Sequence, residues 1–210
     1  STNLDITGGT IRLDGDYPVG NQNVALGNTA LDSLTTGNYN TAIGSAALTA
    51  NNGNSNVAVG AFAADSLSGT ANTIVGTQAM QDATSGDDNV AVGFDSLGSS
   101  VSSSYNVAVG REALSTNTAN NYSTAVGYYA LRDSTAATNT AFGAYAAYRN
   151  TSGTLNTAIG ASALDSNLTG SNNTAVGHQS LYYNTTASSN TAFGYNAGYS
   201  NQTGAENTYI

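Results

Sequence analysis

The chain contains no cysteine, no tryptophan and no lysine, and only one proline, one histidine and one methionine in 210 residues. The missing cysteines exclude disulfide staples and thiolate metal sites. With His178 as the single imidazole, a zinc centre of the usual histidine and cysteine kind is excluded as well. A Ser-His-Asp triad would have to be built on that one residue, and nothing singles out a serine for it. Charge is scarce too: 8% of residues, where a soluble domain ordinarily carries about 25%. Four arginines (Arg12, Arg111, Arg132, Arg149) stand against 13 acids, for a net charge of −9. No basic patch is available to neutralise phosphates, which argues against a nucleic-acid partner. No apolar run approaches the ~20 residues of a membrane helix, so membrane insertion is not expected. A signal segment is not evident, but Ser1 reads as the start of a fragment.

What is present is a repeat. Asn, Ser, Thr, Ala and Gly dominate, a composition compatible with disorder, but disorder does not require a regular apolar position. The stretch Asn40-Thr41-Ala42-Ile43-Gly44 recurs with small changes, and its glycine falls at 27, 44, 60, 76, 93, 110, 127, 143, 160, 177 and 194, in steps of 16 or 17. Position 1 of each coil is Asn, with Ser123 the exception; position 2 is Val or Thr; position 3 is Ala except at Ile74 and Tyr209. Position 4 is always large and apolar, from Leu26 to Ile210, and position 5 is Gly. A small residue follows at position 8 and usually Leu at 9, as in Ala113-Leu114, before a polar and variable stretch over positions 10 to 17.

Positions 1 to 5 read as a short strand, since Val, Thr and Ile favour the pleated state. Alternation of side chains puts positions 2 and 4 on one face and Ala at 3 on the other, and the glycine turns the corner. Positions 6 to 9 fit a second strand with Leu pointing in, or one helical turn; the short coil favours the strand. Repeats of this kind cannot bury a core alone and must stack. The expected fold is therefore all-β, a parallel β-solenoid or β-roll of about 12 coils of 16–17 residues over 23–210, the last coil incomplete. Stacked Asn is expected to form an amide ladder and the position-4 residues an apolar spine. Residues 1–22 read as an N-terminal cap or the end of an upstream element, with Leu4–Thr7 and Thr10–Leu13 as two strands about Gly8-Gly9. The coil is thin, and the small Ala column suggests close approach of another backbone, so a homo-oligomer is expected, a trimer foremost.

The motifs Asn106-Val107-Ala108-Val109-Gly110 and Asn40-Thr41-Ala42-Ile43-Gly44 resemble the repeats in the heads of YadA-type trimeric autotransporter adhesins. The longer form, as in Asn173 to Thr186, is similar to repeats of bacteriophage tail fibres. Asp5 to Ile11 also resembles turn segments of such fibres. The resemblance covers nearly the whole chain, although these coils are longer than those of the adhesin heads. It implies a homotrimeric structural fibre protein, a shaft or receptor-binding segment of a phage tail fibre that attaches to a host surface. It would be located in the virion or otherwise outside the cell. The alternative is an adhesin head at a bacterial surface. Ile210, at position 4 of a coil, is expected to be a boundary rather than a natural end.

No catalytic constellation emerges, and the protein is expected to be non-enzymatic, without cofactor or metal. Asp32, Asp65 and Asp165 recur at position 10 and Asp87-Asp88 share a loop. A polysaccharide depolymerase would need paired carboxylates, and these read as solvated loop charge. Calcium at Asp14/Asp16 or Asp87/Asp88 is a weaker option. Ice binding is disfavoured because Val24, Val57, Val90 and Val107 interrupt the Thr column at position 2. Tyrosine is the one distribution that hints at recognition: 11 of 13 lie beyond residue 100, most at positions 6, 7, 10 and 11. Tyr145, Tyr148, Tyr182 and Tyr183 are the candidates for contact with a host-surface glycan or protein, since tyrosine offers rigid contact area with a polar tip. Burial at coil edges or subunit seams is the competing reading.

Overall fold

A computed structural model describes residues 11–14, 22–33 and 36–210. The expected first strand at Leu4–Thr7, its Gly8-Gly9 turn and Asp16 lie outside the described residues. β1 (Ile11–Asp14) pairs antiparallel with β2 (Asn23–Leu26), Ile11 opposite Leu26. Eleven further strands then stack in chain order: β3 (Thr41–Ile43), β4 (Val57–Val59), β5 (Thr73–Val75), β6 (Val90–Val92), β7 (Val107–Val109) and β8 (Thr124–Val126). After these come β9 (Thr140–Phe142), β10 (Thr157–Ile159), β11 (Thr174–Val176), β12 (Thr191–Phe193) and β13 (Thr208–Tyr209). All are parallel from β2 onward, in a single 13-stranded sheet whose spatial order equals the chain order. Register is column on column: Val107, Ala108 and Val109 pair with Thr124, Ala125 and Val126. The chain is thus an all-β parallel solenoid of 11 complete turns, counted from Gly27 to Gly194, and no helix is found among the described residues.

Two expectations are corrected. The first concerns the faces of the strand. Ala at position 3 points into the coil and is fully buried at Ala42, Ala58, Ala91, Ala108, Ala125, Ala141, Ala158, Ala175 and Ala192. The large residue at position 4 points out: Phe142 is 48% exposed and Phe193 64%. The reason is room. The interior is already filled by position 8 (Ala113, Ala130) and the Leu of position 9 (Leu114, Leu131), all at 0% exposure, which leaves space across the coil for a methyl group. Where a coil departs, its neighbour compensates. Gly198 stands where Leu is usual, and Tyr209 stands in the Ala column. A Cβ on Gly198 would meet the Tyr209 ring at 2.7 Å, so the ring occupies the space the leucine would have taken.

The second correction concerns positions 6 to 9, which are neither strand nor helix but turn. Positions 7 and 9 carry positive φ, as at Glu112 (53°) and Leu114 (52°) or Tyr129 (59°) and Leu131 (49°), which neither regular element accepts. This chain path keeps peptide groups aligned with the stack. The Glu112 N–H donates to the Phe94 carbonyl of the preceding coil (2.8 Å), and the Leu114 N–H to the Ala130 carbonyl of the next (3.1 Å). Hydrogen bonding between coils therefore continues past the strands, offsetting the ~1–3 kcal/mol that a non-glycine residue spends in such conformations.

The Asn ladder is present in a more specific form than amide on amide. The backbone N–H of each Asn donates to the side-chain oxygen of the one before it, as Asn106 N–H to Asn89 Oδ1 (3.0 Å). The Asn89 amide nitrogen donates to the Ser103 carbonyl of its own coil (2.8 Å). One buried side chain thus ties two coils together and closes the loop of its own. Ser123 keeps only the acceptor half, taking the Asn139 N–H at 3.2 Å. A second buried ladder runs through position 12, where Asn201 donates to Asn184, Asn184 to Asn167 and Asn167 to Asn150 at 3.1, 3.0 and 2.7 Å.

Candidate functional site

With the core closed by Ala, Leu and Asn, functional side chains have two places to stand: the outer face of the sheet and the turns. The outer face is made of positions 2 and 4. No charged residue occurs at either position in any coil. Leu26, Ile43, Val57, Val75, Phe142, Ile159 and Phe193 are all exposed there, in register along the stack.

The turns carry the aromatic and charged groups. The four candidate tyrosines fall into two clusters. Tyr145 and Tyr148 join Tyr128 and Tyr129. Tyr128 and Tyr129 stack at 3.9 Å, Tyr129 and Tyr148 at 6.0 Å, and Tyr145 stands edge-on to all three. Arg132 holds this group in place. Its guanidinium lies over the rings of Tyr129 and Tyr148, and it donates to Tyr148 Oη and Glu112 Oε2, both at 2.9 Å. Tyr182 and Tyr183 belong to a second cluster with Tyr199, in which Tyr182 and Tyr199 stack at 5.4 Å with Tyr183 edge-on to both. His178 does not work alone at its turn: it stacks on Tyr195 at 5.5 Å, and Tyr195 is 74% exposed. A third pair, Tyr105 and Tyr122, stacks at 5.2 Å on another edge.

Between the two larger clusters lies Asp165. The carbonyls of Tyr148, Asp165, Tyr182 and Tyr199 each accept an N–H from the preceding coil (Asp133, Arg149, Ser166 and Tyr183, at 3.0–3.1 Å), so the four residues form one column. Asp165 is only 6% exposed. Burial raises its pKa, with the Arg149 guanidinium acting in opposition. Its charge in turn is the main cause that raises the Tyr182 pKa.

The other acids are closer together than position 10 alone suggested, because acids at positions 7, 10 and 11 meet across coils. Asp95 has a raised pKa from burial first, then from Glu112 and Asp82, while its Oδ2 accepts the Ser115 hydroxyl at 2.7 Å. Asp65 is raised likewise, by burial and then by Asp82. Glu112 is engaged by Arg111 and Arg132 at 3.2 and 2.9 Å. Asp87 accepts the Thr70 N–H and hydroxyl at 2.7 and 3.1 Å, which ties one coil to the next. No group of three or more His, Cys, Asp or Glu able to hold a metal occurs among the described residues.

The fold and its surface define the class: a parallel β-solenoid repeat protein with an uncharged sheet face, apolar along position 4, and aromatic turns. No family model, curated protein or solved structure matches the chain.

Proposed function

We propose that the chain is a structural fibre segment. It assembles as a homotrimer and mediates attachment to a host surface, as a shaft or receptor-binding part of a phage tail fibre or of a virion-like extracellular fibre. The observation that carries this reading is the outer face of the sheet. Eleven coil steps of ~4.8 Å make a rod of roughly 50 Å, and a three-residue strand is about 10 Å wide, so the face covers on the order of 500 Å². Its position-4 column is apolar in every coil, and an exposed apolar stripe that runs the length of a molecule marks an interaction site. At ~25 cal/mol per Å² of apolar surface, roughly 12 kcal/mol per chain is the upper bound for its burial, since Thr fills position 2 in eight of the twelve coils, and that bound falls within the ~4–15 kcal/mol cost of association. The occupant that matches it best is the same face of another copy. That face is straight, uncharged and periodic at the coil spacing, whereas the net charge of −9 lies on other surfaces. Parallel copies in register would bring Phe142 to Phe142 and Phe193 to Phe193 around one axis. A closed three-fold arrangement leaves no copy of the face open.

A rod built this way presents its turns outward along its whole length. The tyrosines of those turns are the surface offered to host glycans or proteins. A bacterial adhesin head would use the same face in the same manner; the full-length sequence on either side distinguishes the two. The test of assembly is mass under native conditions for the chain and for Val109→Asp. Three times 21.1 kDa is expected for the former. A 21.1 kDa species with an unchanged β spectrum is expected for the latter. A monomeric parent chain would refute the proposal.

A further inference from the structure

We infer that the column Tyr148–Asp165–Tyr182 is a contact site for one ring of a neutral saccharide, inserted between the two tyrosine rings with a hydroxyl donated to the carboxylate. The inference deepens the attachment reading above and rests on it for its biological sense, but its chemistry is independent of assembly.

Three observations lead to it. The first is spacing. Rings one coil apart stack on this molecule at 5.2 Å (Tyr105–Tyr122), 5.4 Å (Tyr182–Tyr199) and 5.5 Å (His178–Tyr195). Tyr148 and Tyr182 are two coils apart, so roughly 9.6 Å separates their backbones. A ring set midway would lie ~4.8 Å from each, close to the distance at which the molecule's own rings pair. Asp165 interrupts the ladder of rings with a side chain too short to fill that interval.

The second is the state of Asp165. It is 6% exposed, and no hydrogen bond to its carboxylate is formed among the described residues. Its oxygens are not among the fully buried polar atoms that lack a partner, so the carboxylate reaches the surface and is a strong acceptor for a hydroxyl placed between the rings. The third is support. Arg132 lies over Tyr148, with its guanidinium carbon 5.7 Å from the ring centroid, and hydrogen-bonds Tyr148 Oη. Tyr183 and Tyr199 pack on Tyr182. Both walls are therefore pre-organised, which lowers the entropy spent on binding.

The ligand class follows from the mixture of groups. Two aromatic faces suit the C–H face of a pyranose, and the carboxylate and phenol groups suit its hydroxyls. A quaternary ammonium would also suit rings and a carboxylate, but Arg149 already offsets the charge of Asp165, which favours a neutral guest. Phosphorylated or sulfated ligands are repelled by the same carboxylate. A folded protein partner needs about 800 Å² per side, more than this column of four residues offers.

The experiment is saturation-transfer NMR and calorimetry on the whole chain, with methyl glycosides of glucose, galactose, mannose and N-acetylglucosamine as probes and tetramethylammonium as the competing chemistry. At least one glycoside is expected to bind, with saturation passing from tyrosine ring protons to sugar C–H protons. Tyr182→Ala and Asp165→Asn are expected to weaken it about tenfold or more, whereas Tyr122→Ala on the other edge leaves it unchanged. Circular dichroism of each variant confirms that the solenoid is intact. Absence of binding by every glycoside, binding insensitive to Tyr182→Ala and Asp165→Asn, or binding of tetramethylammonium alone would each overturn the inference. Native mass on the same samples separates the two proposals: glycoside binding by a monomer supports this site and refutes the trimer, and a trimer without binding does the reverse.

Discussion

Replacing one corner glycine with alanine tests the stacking of coils quantitatively. Gly110 has φ of +133°, and a Cβ built there would lie 2.4 Å from the carbonyl oxygen of Gly127 in the next coil. Two costs follow. The backbone conformation is one an alanine resists, at ~1–3 kcal/mol. The clash is with backbone rather than with a flexible side chain, so relief must open the coil–coil contact, at a further ~1–3 kcal/mol. Gly110→Ala is therefore expected to lose ~2–6 kcal/mol. Gly194 supplies the control. Its φ is similar, +134°, but the nearest atoms to its Cβ are at 4.0 Å, so Gly194→Ala should lose only the conformational part, ~1–3 kcal/mol. The assay is urea denaturation followed by circular dichroism at one protein concentration. Equal losses for the two variants, or a loss under ~1 kcal/mol for Gly110→Ala, would refute the claim that glycine carbonyls sit in van der Waals contact from coil to coil.

Three further expectations come from the same geometry. Asn89→Ala strands the Asn106 N–H and the Ser103 carbonyl and should cost ~1–3 kcal/mol; Asn89→Ser, which keeps the acceptor as Ser123 does, should cost less in the same denaturation assay. Ala108→Phe forces a ring into a fully buried column and should abolish folding of the central coils, seen as loss of the β spectrum rather than as dissociation of a folded chain. Asp165 has a folded-state pKa raised by burial above its ordinary 3.8, so the folded state binds its proton more tightly than the unfolded one. Its contribution is thus fully present below pH 3.8 and is lost as pH rises through the raised value. Asp165→Asn should flatten this decline and raise the melting temperature at neutral pH, as measured by melting curves across pH.

The parts of the fold legible in the sequence are those written by strict repetition. The Gly steps gave the number of turns, the Asn column gave the inter-coil ladder, and the Val, Thr and Ile around Ala108 gave the strands. Facing was misread because residue size normally tracks burial: Val109 is large and outside, Ala108 is small and inside. The clue was Leu114 and Ala113, which already fill so thin a coil. The turns were misread because positive φ is usually announced by glycine or asparagine, whereas Glu112 and Leu114 adopt it under the constraint of stacking. The second ladder escaped notice because only some coils carry it: Asn150, Asn167, Asn184 and Asn201 hold it, but Leu67 and Ala83 replace it with apolar packing. At the candidate site, the tyrosines stood out by their distribution. Their division into two clusters about Asp165 depends on which columns adjoin, and that required the coil geometry.

The reversal of faces moves the basis for the proposed assembly from the Ala column to the position-4 column, and the absence of cysteine makes this directly measurable. A single cysteine at Val109, oxidised under mild conditions, should link copies through residue 109, because a disulfide needs Cβ atoms ~3.5–4.5 Å apart and parallel copies in register bring these positions together. A cysteine at Thr118, on an exposed turn, should not. Efficient linkage at 109 with none at 118 is the predicted result; no linkage at 109, or equal linkage at both, would contradict the account.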